Sequence, residues 1–267
     1  MDTVPAIPDS AGFTITLSDA QDIATITLNR PDKRNAQTPE TWLWLTRAVN
    51  ALPGTVRVLF VRGEGPSFSA GLDRAVFTAE GTDEAPGLFG IAHADQETAT
   101  AAIASFQQAF DLGSRPGLVS IALVQGYAIG AGFQLALSCD IRIAAQDVQF
   151  SMAEVSLGLV PDLGGTKRIV ELVGYSKAAS ICLTGRRVSA EEADQIGLVT
   201  AVVPVERLAE AGDAFAAQIL ALPAAAVTET KALLLAASGR SQDDQQRAER
   251  EAQYRQLRAL AGLDRED

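Results

Sequence analysis

The sequence predicts an α/β fold made of repeated strand-strand-helix units, because strand and helix patterns alternate along the chain as far as residue 203. Beyond residue 204 every segment has a helical pattern. The chain has 267 residues, 47% of them hydrophobic, which is enough for one large core with an appended subdomain. We therefore expect a strand-rich core at 1–203 and a helical subdomain at 204–267.

The composition argues against two classes of partner. The formal charge of −11 repels nucleic acid and anionic lipid surfaces at long range, so we expect no nucleic acid and no membrane as the main partner. No stretch of about 18 uncharged apolar residues occurs, and the N-terminal MDTVPAIPDSAG has neither the basic start nor the apolar stretch of an export signal. These features predict a cytoplasmic protein.

Cysteine and histidine are too few for several kinds of site. Cys139 and Cys182 both lie in apolar sequence, which predicts reduced, buried thiols and not a disulfide framework. His93 is the single histidine and lies in an Ala- and Gly-rich stretch, so we expect neither a Ser-His-Asp triad nor a metal cluster. Any catalysis must then use carboxylates, backbone amides, Lys or Tyr.

The first elements follow from alternation and capping. Segments 12–18 and 22–28 alternate apolar and polar residues around a polar turn, which predicts an antiparallel hairpin with one buried face. Thr38 and Pro39 mark the start of a helix whose apolar residues recur at the helical period. The next strand is predicted at 55–63.

The later elements are predicted in the same way. Residues 76–100 show no sustained period and are expected to form a long mobile loop of the kind that covers a site. An amphipathic helix around Phe106 precedes a fully apolar strand at 118–126. Another helix is expected from Ala131 onward, and 197–204 is the last segment with a strand pattern.

Glycines follow two of the apolar strands, at positions where the backbone could approach a ligand closely. Gly71 and the Gly130–Gly132 run allow sharp turns without Cβ interference. A helix starting near Ala131 presents unpaired N–H groups and the positive end of its dipole, which favours a developing anion.

Two other interpretations of the glycines remain open at this point. Gly130 and Gly132 also follow a strand and precede a helix, as in a dinucleotide-binding loop, although Leu135 stands at the third position of that motif. Alternatively, these glycines only allow tight packing.

Four segments together resemble one family. They are LNRPDKRNA (28–36), FSAGLD (68–73), GYAIGAGFQLALSCDIRIAA (126–145) and FSMAEVSLGLVPDLGGTKRI (150–169). In order and spacing they resemble the crotonase superfamily of enoyl-CoA hydratases and isomerases. The resemblance implies a crotonase-type spiral of repeated ββα units. It also implies a helical C-terminal region that mediates a homotrimer or a hexamer made as a dimer of trimers.

The resemblance also implies a substrate and an oxyanion hole. The substrate would be an acyl-CoA bound by the 1–203 core, so coenzyme A arrives as part of the substrate and no tightly bound cofactor is expected. The backbone amides of Leu72 and Ala131 would bind the thioester oxygen, on which charge develops when a neighbouring carbon is deprotonated. Losing one such donor typically costs about 2.7–4 kcal/mol.

Two carboxylates in the third motif are catalytic candidates. Glu154 lies in apolar sequence, so its charge must face water, a partner or a reaction site, and it matches the second catalytic glutamate of the family. Asp162 resembles the second proton-transfer group of dienoyl-CoA isomerases. It is equally suited to cap the helix that begins LGGTKRIVEL, and the two interpretations are compatible.

The main departure from the family pattern is Gln134, which aligns with the first of the two glutamates that hydratases use. Gln can hydrogen-bond a water or an acyl group but cannot accept a proton at ordinary pH. A shift of a double bond needs only one base, so we favour isomerisation by Glu154. The alternatives are a hydratase (lyase) in which Gln134 positions water, and a non-catalytic acyl-CoA binding protein.

A small group of residues is expected to contact coenzyme A. Lys33 and Arg34 form a local cationic pair on an acidic chain, suitable for phosphates, although solvated surface charge is the alternative. By resemblance, Ala70 and Asp73 belong to the segment whose backbone surrounds the adenine and pantetheine.

Overall fold

The fold is described for residues 12–78, 80–81 and 85–263 of a computed structural model. The N-terminal segment used to predict the absence of an export signal lies almost wholly outside these residues. Within the described residues no single helix is long and apolar enough to cross a membrane. One pair of consecutive helices passes that test together, by length and composition only, with a 106° bend between its members.

Nine strands occur in the described residues. They are β1 Phe13–Leu17, β2 Ile23–Leu28, β3 Val58–Gly63, β4 Val119–Val124, β5 Tyr127–Ile129, β6 Ile141–Ala145, β7 Gln149–Ser151, β8 Val188–Ser189 and β9 Ala201–Val203. Six form a central sheet in the order β1-β2-β3-β4-β6-β9, and β5-β7-β8 form a second, smaller sheet. In the central sheet β1 and β2 are antiparallel and every other pair is parallel.

Ten α-helices occur over the same residues. They are α1 Pro39–Asn50, α2 Leu88–His93, α3 Gln96–Gln107, α4 Ala131–Ser138, α5 Gly165–Val173, α6 Tyr175–Thr184, α7 Ala190–Gln195, α8 Leu208–Leu220, α9 Ala224–Ala237 and α10 Gln242–Leu260. The alternation of strand pairs with helices, followed by helices alone, is the predicted α/β spiral with a helical C-terminal region.

The predicted N-terminal hairpin and first helix are confirmed. β1 and β2 pair over five residues from Phe13 opposite Leu28. Thr38 caps α1 reciprocally with Thr41, which satisfies N–H groups that a helix start leaves unpaired. Trp42 and other apolar residues of α1 face the core.

The central sheet is covered on both faces, which explains why its inner strands are apolar throughout. On one face it packs against α1, α4 and the helices around them. On the other face Phe60, Ile121 and Leu123 contact α8 through Leu208 and Ala216.

The C-terminal helices are tied to the sheet by polar contacts as well. Lys231 of α9 is almost fully buried and forms an ion pair with Asp140 at 2.7 Å. Asp140 also accepts hydrogen bonds from the N–H and the hydroxyl of Ser120 on β4. Arg57 donates to carbonyl groups at the end of α8. The position of α9 is therefore fixed by a charge pair that is largely removed from water.

Two predictions, one about residues 76–100 and one about Cys182, were wrong. Residues 76–100 do not form one long loop, because α2 lies within them and α3 starts at Gln96. Asp95 caps α3 by accepting from the Thr98 N–H at 2.9 Å. Cys139 is buried as predicted, but Cys182 is only half-buried.

Candidate active site

A cavity of about 710 Å³ lies where the predicted motifs meet. Six of the nine candidate site residues line it: Ala70, Leu72, Ala131, Gln134, Glu154 and Asp162. Lys33, Arg34 and Asp73 lie outside the lining. The structure therefore brings the candidate acid-base and amide groups together and leaves the cationic pair on the surface.

The backbone amides of Leu72 and Ala131 are brought near each other by a close contact at Gly71. Gly71 has φ +86°, and a methyl group on it would lie 2.4 Å from the Ile129 carbonyl oxygen and 3.4 Å from the Ala131 nitrogen. Ala131 is the first residue of α4, so its N–H has no partner inside the helix. Within the described part of the chain, neither this N–H nor that of Leu72 donates a hydrogen bond. Both are free to bind an oxygen atom.

The glycine at 132 has a packing role. A methyl group there would lie 2.6 Å from the carbonyl oxygen of Ser69. The packing interpretation therefore holds for Gly132, which lets α4 lie against the segment around Ser69 that leads to Gly71.

A buried hydrogen-bond network supports that segment. The Ser69 hydroxyl donates to the carbonyl of Asn35 at 2.8 Å and accepts from the N–H of Gly71 at 3.2 Å. Gln37 donates to the same hydroxyl through Nε2 and accepts from the Trp42 indole N–H at 2.8 Å. Trp42 lines the cavity, so the network joins the cavity wall to the residue beside Leu72.

Glu154 begins a short 3-10 helix, Glu154–Leu157, and directs its carboxylate into the cavity. Its Oε1 accepts from Nε2 of Gln134 at 2.7 Å. Its Oε2 is buried and has no hydrogen-bond partner among the described residues. Burial raises the pKa of Glu154, and the nearby charge of Asp162 raises it further against the opposing effect of the Gln134 hydrogen bond. This carboxylate is suited to taking up a proton.

Gln134 lies on α4 and is almost completely buried. Its Oε1 accepts from the backbone N–H of Leu163 at 2.9 Å and of Gly165 at 3.2 Å. Three hydrogen bonds thus connect α4, the start of α5 and Glu154.

Asp162 does not cap α5, so that interpretation was wrong. The helix begins at Gly165, and its N-cap is Gly164 in the left-handed region, with no side-chain cap. The carbonyl of Asp162 accepts from the Gln107 amide at 2.6 Å, which fixes the backbone there. The carboxyl group lines the cavity, and burial against its walls raises the pKa of Asp162.

Much of the remaining cavity wall is apolar, and its role was missed in the sequence. Leu88 and Ile91 of α2 come from the region predicted as a loop, whereas Ile103 and Phe106 belong to α3, where an amphipathic helix was predicted around Phe106. The rings of Trp42 and Phe106 lie 5.5 Å apart. The signal that was available is Asp95, an N-cap residue followed by a run of good helix formers.

The loop that carries Lys33 is held by Asp73. The Asp73 carboxylate lies 2.8 Å from Arg30 and 3.9 Å from Lys33 and accepts from the N–H of Ala75. Burial alone would raise the pKa of Asp73, but these hydrogen bonds and cations hold it below its usual range. The Asp73 side chain therefore positions the loop.

Two cations share one aromatic ring next to this loop. The guanidinium Cζ of Arg34 lies 6.0 Å and that of Arg187 5.0 Å from the ring centroid of Tyr127. Arg187 was missed because nothing in its local sequence indicates that β8 brings it to the loop at 28–36. Together with Lys33, these two arginines place three cations on this side of an acidic protein.

Metal and histidine chemistry have no visible site in the described residues. They contain no group of three or more His, Cys, Asp or Glu side chains that could hold a metal ion. His93 ends α2, where its ring Nδ1 contacts the carbonyl of Phe89.

Comparison with known proteins decides the family. The family model described as enoyl-CoA hydratase/isomerase matches residues 18–261. The chain belongs to this family. The dinucleotide-binding interpretation of Gly130 and Gly132 is therefore set aside, and membership of the crotonase superfamily, predicted from four motifs, is confirmed.

Individual relatives and solved structures support the same family assignment. Crotonyl-CoA hydratase of Syntrophomonas wolfei is 36% identical over 221 residues, which cover 82% of this chain and 80% of the relative. A candidate enoyl-CoA hydratase of Thermobifida fusca, solved with CoA, has a TM-score of 0.91 and 45% identity, covering 98% of this chain and 100% of that one. A complex of a Thermobifida fusca candidate hydratase with acetoacetyl-CoA has a TM-score of 0.88 and 47% identity, covering 93% and 95% of the two chains.

Proposed function

We propose that this enzyme shifts the double bond of an enoyl-CoA thioester by proton transfer through an enolate. Glu154 removes a proton next to the thioester, and the Leu72 and Ala131 amides bind the oxygen on which the charge develops. Glu154 then delivers the proton to another carbon. The apolar wall of the cavity is suited to the acyl chain.

One observation carries this proposal. The Glu154 side chain lines the cavity and its buried Oε2 has no hydrogen-bond partner among the described residues, while its neighbour Gln134 is a neutral amide that already accepts two backbone N–H groups. Gln134 therefore has no capacity left to accept a hydrogen bond from water or to take its proton. Isomerisation needs only one proton carrier, and Glu154 is suited to that role.

Asp162 supports a second proton-transfer role in the same reaction. Its carboxyl lines the same cavity as Glu154, and its raised pKa allows it to hold a proton nearer neutrality than an ordinary aspartate. We propose that it assists when the double-bond system of the substrate is extended.

Hydration is the second candidate function, because the names of the similar curated relatives are mostly those of hydratases. In that reaction Gln134 would hold a water through its remaining N–H while Glu154 takes the proton of that water. The cavity would bind the same thioester in either case.

Incubating the purified protein with 2-enoyl-CoA and 3-enoyl-CoA, and following the products by mass spectrometry, separates the candidates. Isomerisation moves the double bond without a change of mass, and hydration adds the mass of water. Binding without turnover would indicate an acyl-CoA binding protein. We expect isomerised product, and Glu154→Gln should reduce its rate by about 10²–10⁴-fold.

We also propose that coenzyme A lies along the surface beside Ala70, with its phosphates near Lys33 and Arg34. Support comes from the cations gathered there and from the CoA complex of the Thermobifida fusca protein. Asp73 would act by holding the loop, since its carboxylate is engaged with Arg30 and Lys33.

Finally, we propose that the C-terminal helices join subunits into a homotrimer or a dimer of trimers. The support is the number of large apolar side chains that α9, α10 and their ends leave exposed: Leu222, Leu234, Leu235, Tyr254, Leu257, Leu260 and Leu263. Such a surface is typical of a subunit interface.

A further inference from the structure

We propose that Arg74 makes the cavity selective for acyl-CoA thioesters whose acyl chain ends in a carboxylate. This inference rests on the proposed binding of an acyl-CoA in the cavity. It names the class of acyl chain, which the proposed proton transfer leaves open, and it concerns a cationic side chain that takes no part in that transfer.

Arg74 is the one lysine or arginine among the described residues that line the cavity. It begins a short 3-10 helix, Arg74–Val76, two residues after Leu72. The residue before it, Asp73, caps this helix and directs its carboxylate to cations of the loop at 28–36. The two neighbouring side chains therefore have different surroundings, since that of Asp73 holds the loop and that of Arg74 lines the cavity.

The guanidinium group of Arg74 is available for a ligand. It is exposed and has no ion pair or hydrogen bond within the part of the chain that the structure describes. By comparison, Arg30 is engaged with Asp73 at 2.8 Å. A guanidinium presents its N–H donors in a planar fork that fits a carboxylate through paired hydrogen bonds. A carboxylate on a bound molecule is thus a suitable partner for Arg74.

The two carboxyl groups of the cavity explain why an anionic acyl chain would need this cation. Glu154 and Asp162 repel another carboxylate when they are ionised, and an unpaired charge is costly in an apolar cavity. Burial raises the pKa of both groups, and Arg74 does not offset that rise, so its charge is not engaged with either of them. Because Arg74 is exposed, a carboxylate bound to it would also keep part of its hydration.

An acyl chain that ends in a methyl group gains nothing from Arg74. Such a chain would take water from the guanidinium without supplying a partner, which is unfavourable for a cation. Leu88 and Ile91 offer the same apolar contact to the methylene groups of either kind of chain. The difference in affinity should therefore come from the terminal group.

The test measures binding and needs no turnover. Saturated acyl-CoA thioesters with a methyl end and with a carboxylate end are compared by calorimetry at equal chain length, over a range of lengths. At one or more lengths the wild type should bind the carboxylate-ended chain about tenfold more tightly. Arg74→Gln should remove this preference, and Arg74→Lys should keep part of it because the charge remains.

Charge reversal gives a second measurement. Arg74→Glu should disfavour the carboxylate-ended chain and favour a chain of the same length that ends in an ammonium group. Arg207→Leu is the matched control, because Arg207 lies in an exposed pair with Glu210 outside the cavity lining. It changes the net charge of the protein by the same amount as Arg74→Gln and should keep the wild-type preference.

The outcomes separate the inference from the proposed function. Equal affinity of the wild type for the two chain ends at every length would overturn the inference and leave acyl-CoA binding standing. An equal loss of affinity for both chains in Arg74→Gln would overturn it as well, because Arg74 would then contact the coenzyme. A carboxylate preference without isomerised product would support the inference and overturn the isomerase function alone. No binding of any acyl-CoA would overturn both.

Discussion

At the scale of single residues, the cavity contains two carboxyl groups whose pKa values are raised in a mostly apolar surrounding. Glu154 must be ionised to accept a proton, so its activity should fall as the pH drops through its raised pKa. Burial is the main cause, and the charge of Asp162 adds to it. The acid limb of the rate profile should therefore lie above the ordinary range of a glutamate.

Replacing Asp162 by Asn tests this relation. The substitution removes a negative charge near Glu154, so the pKa of Glu154 should fall and the acid limb of kcat/KM should move to lower pH. Asp19→Asn, in an exposed turn away from the cavity, is the control and should leave the profile unchanged. An acid limb in Asp162→Asn at the wild-type position would show that the two carboxyl groups do not interact.

Arg187 gives a second prediction at this scale. If the cations around Tyr127 bind a phosphate of coenzyme A, Arg187→Ala should raise the KM for an acyl-CoA about tenfold with little change in kcat. The same variant should lose less affinity for an acyl-CoA analogue that lacks the 3′-phosphate of coenzyme A. Arg186→Ala is the comparison, because Arg186 is already paired with Glu192 at 2.6 Å. Equal effects of the two variants would contradict a phosphate contact by Arg187.

At the scale of elements, the sequence predicted best those parts whose signals are local. The N-terminal hairpin follows from alternation, and α1 follows from Thr38 and Pro39, which act within their own turn. The two glycine turns of the site were found for the same reason. The catalytic candidates then followed from their family spacing.

Elements that depend on distant partners were not found. β5 and β7 have three residues each and exist because they pair with each other, β7 pairing also with β8. α2 is a six-residue helix in a Gly- and Pro-containing region whose pattern is too short to detect. Asp162 looked like an N-cap because it lies just before the helix, but the N-cap of α5 is Gly164, which adopts the left-handed conformation.

The attachment of α9 gives a prediction at this scale. Lys231→Met leaves Asp140 without its cation in a largely buried place, so the free energy of unfolding should fall by about 3 kcal/mol. Chemical denaturation measures this. Lys167→Met, which removes a cation from the exposed pair with Glu171, should cost at most about 1 kcal/mol. A similar loss of unfolding free energy in both variants would mean that the buried pair stabilises the protein no more than the exposed pair does.

At the scale of the whole molecule, the apolar surface of α9 and α10 predicts self-association. Light scattering should give a mass of three or six times the 28.0 kDa chain. Leu257→Glu and Leu260→Glu together should shift the protein toward the monomer, because charges would then be buried at the interface. Leu257→Met keeps the side chain apolar and should leave the mass unchanged. A monomeric wild-type protein would contradict the proposed assembly.

The network through Ser69 has a consequence for how the substrate is used. Trp42 lines the cavity proposed to hold the acyl chain, and through Gln37 and Ser69 it is connected by hydrogen bonds to the N–H of Gly71, next to the Leu72 amide. We therefore expect an acyl chain in contact with the indole to limit the movement of the amides that would receive the negative charge. Shortening the acyl chain should then lower kcat as well as affinity, and Ser69→Ala should remove this dependence of kcat on chain length. In this way, contact with the acyl chain at Trp42 would affect the rate of the reaction at the Leu72 and Ala131 amides.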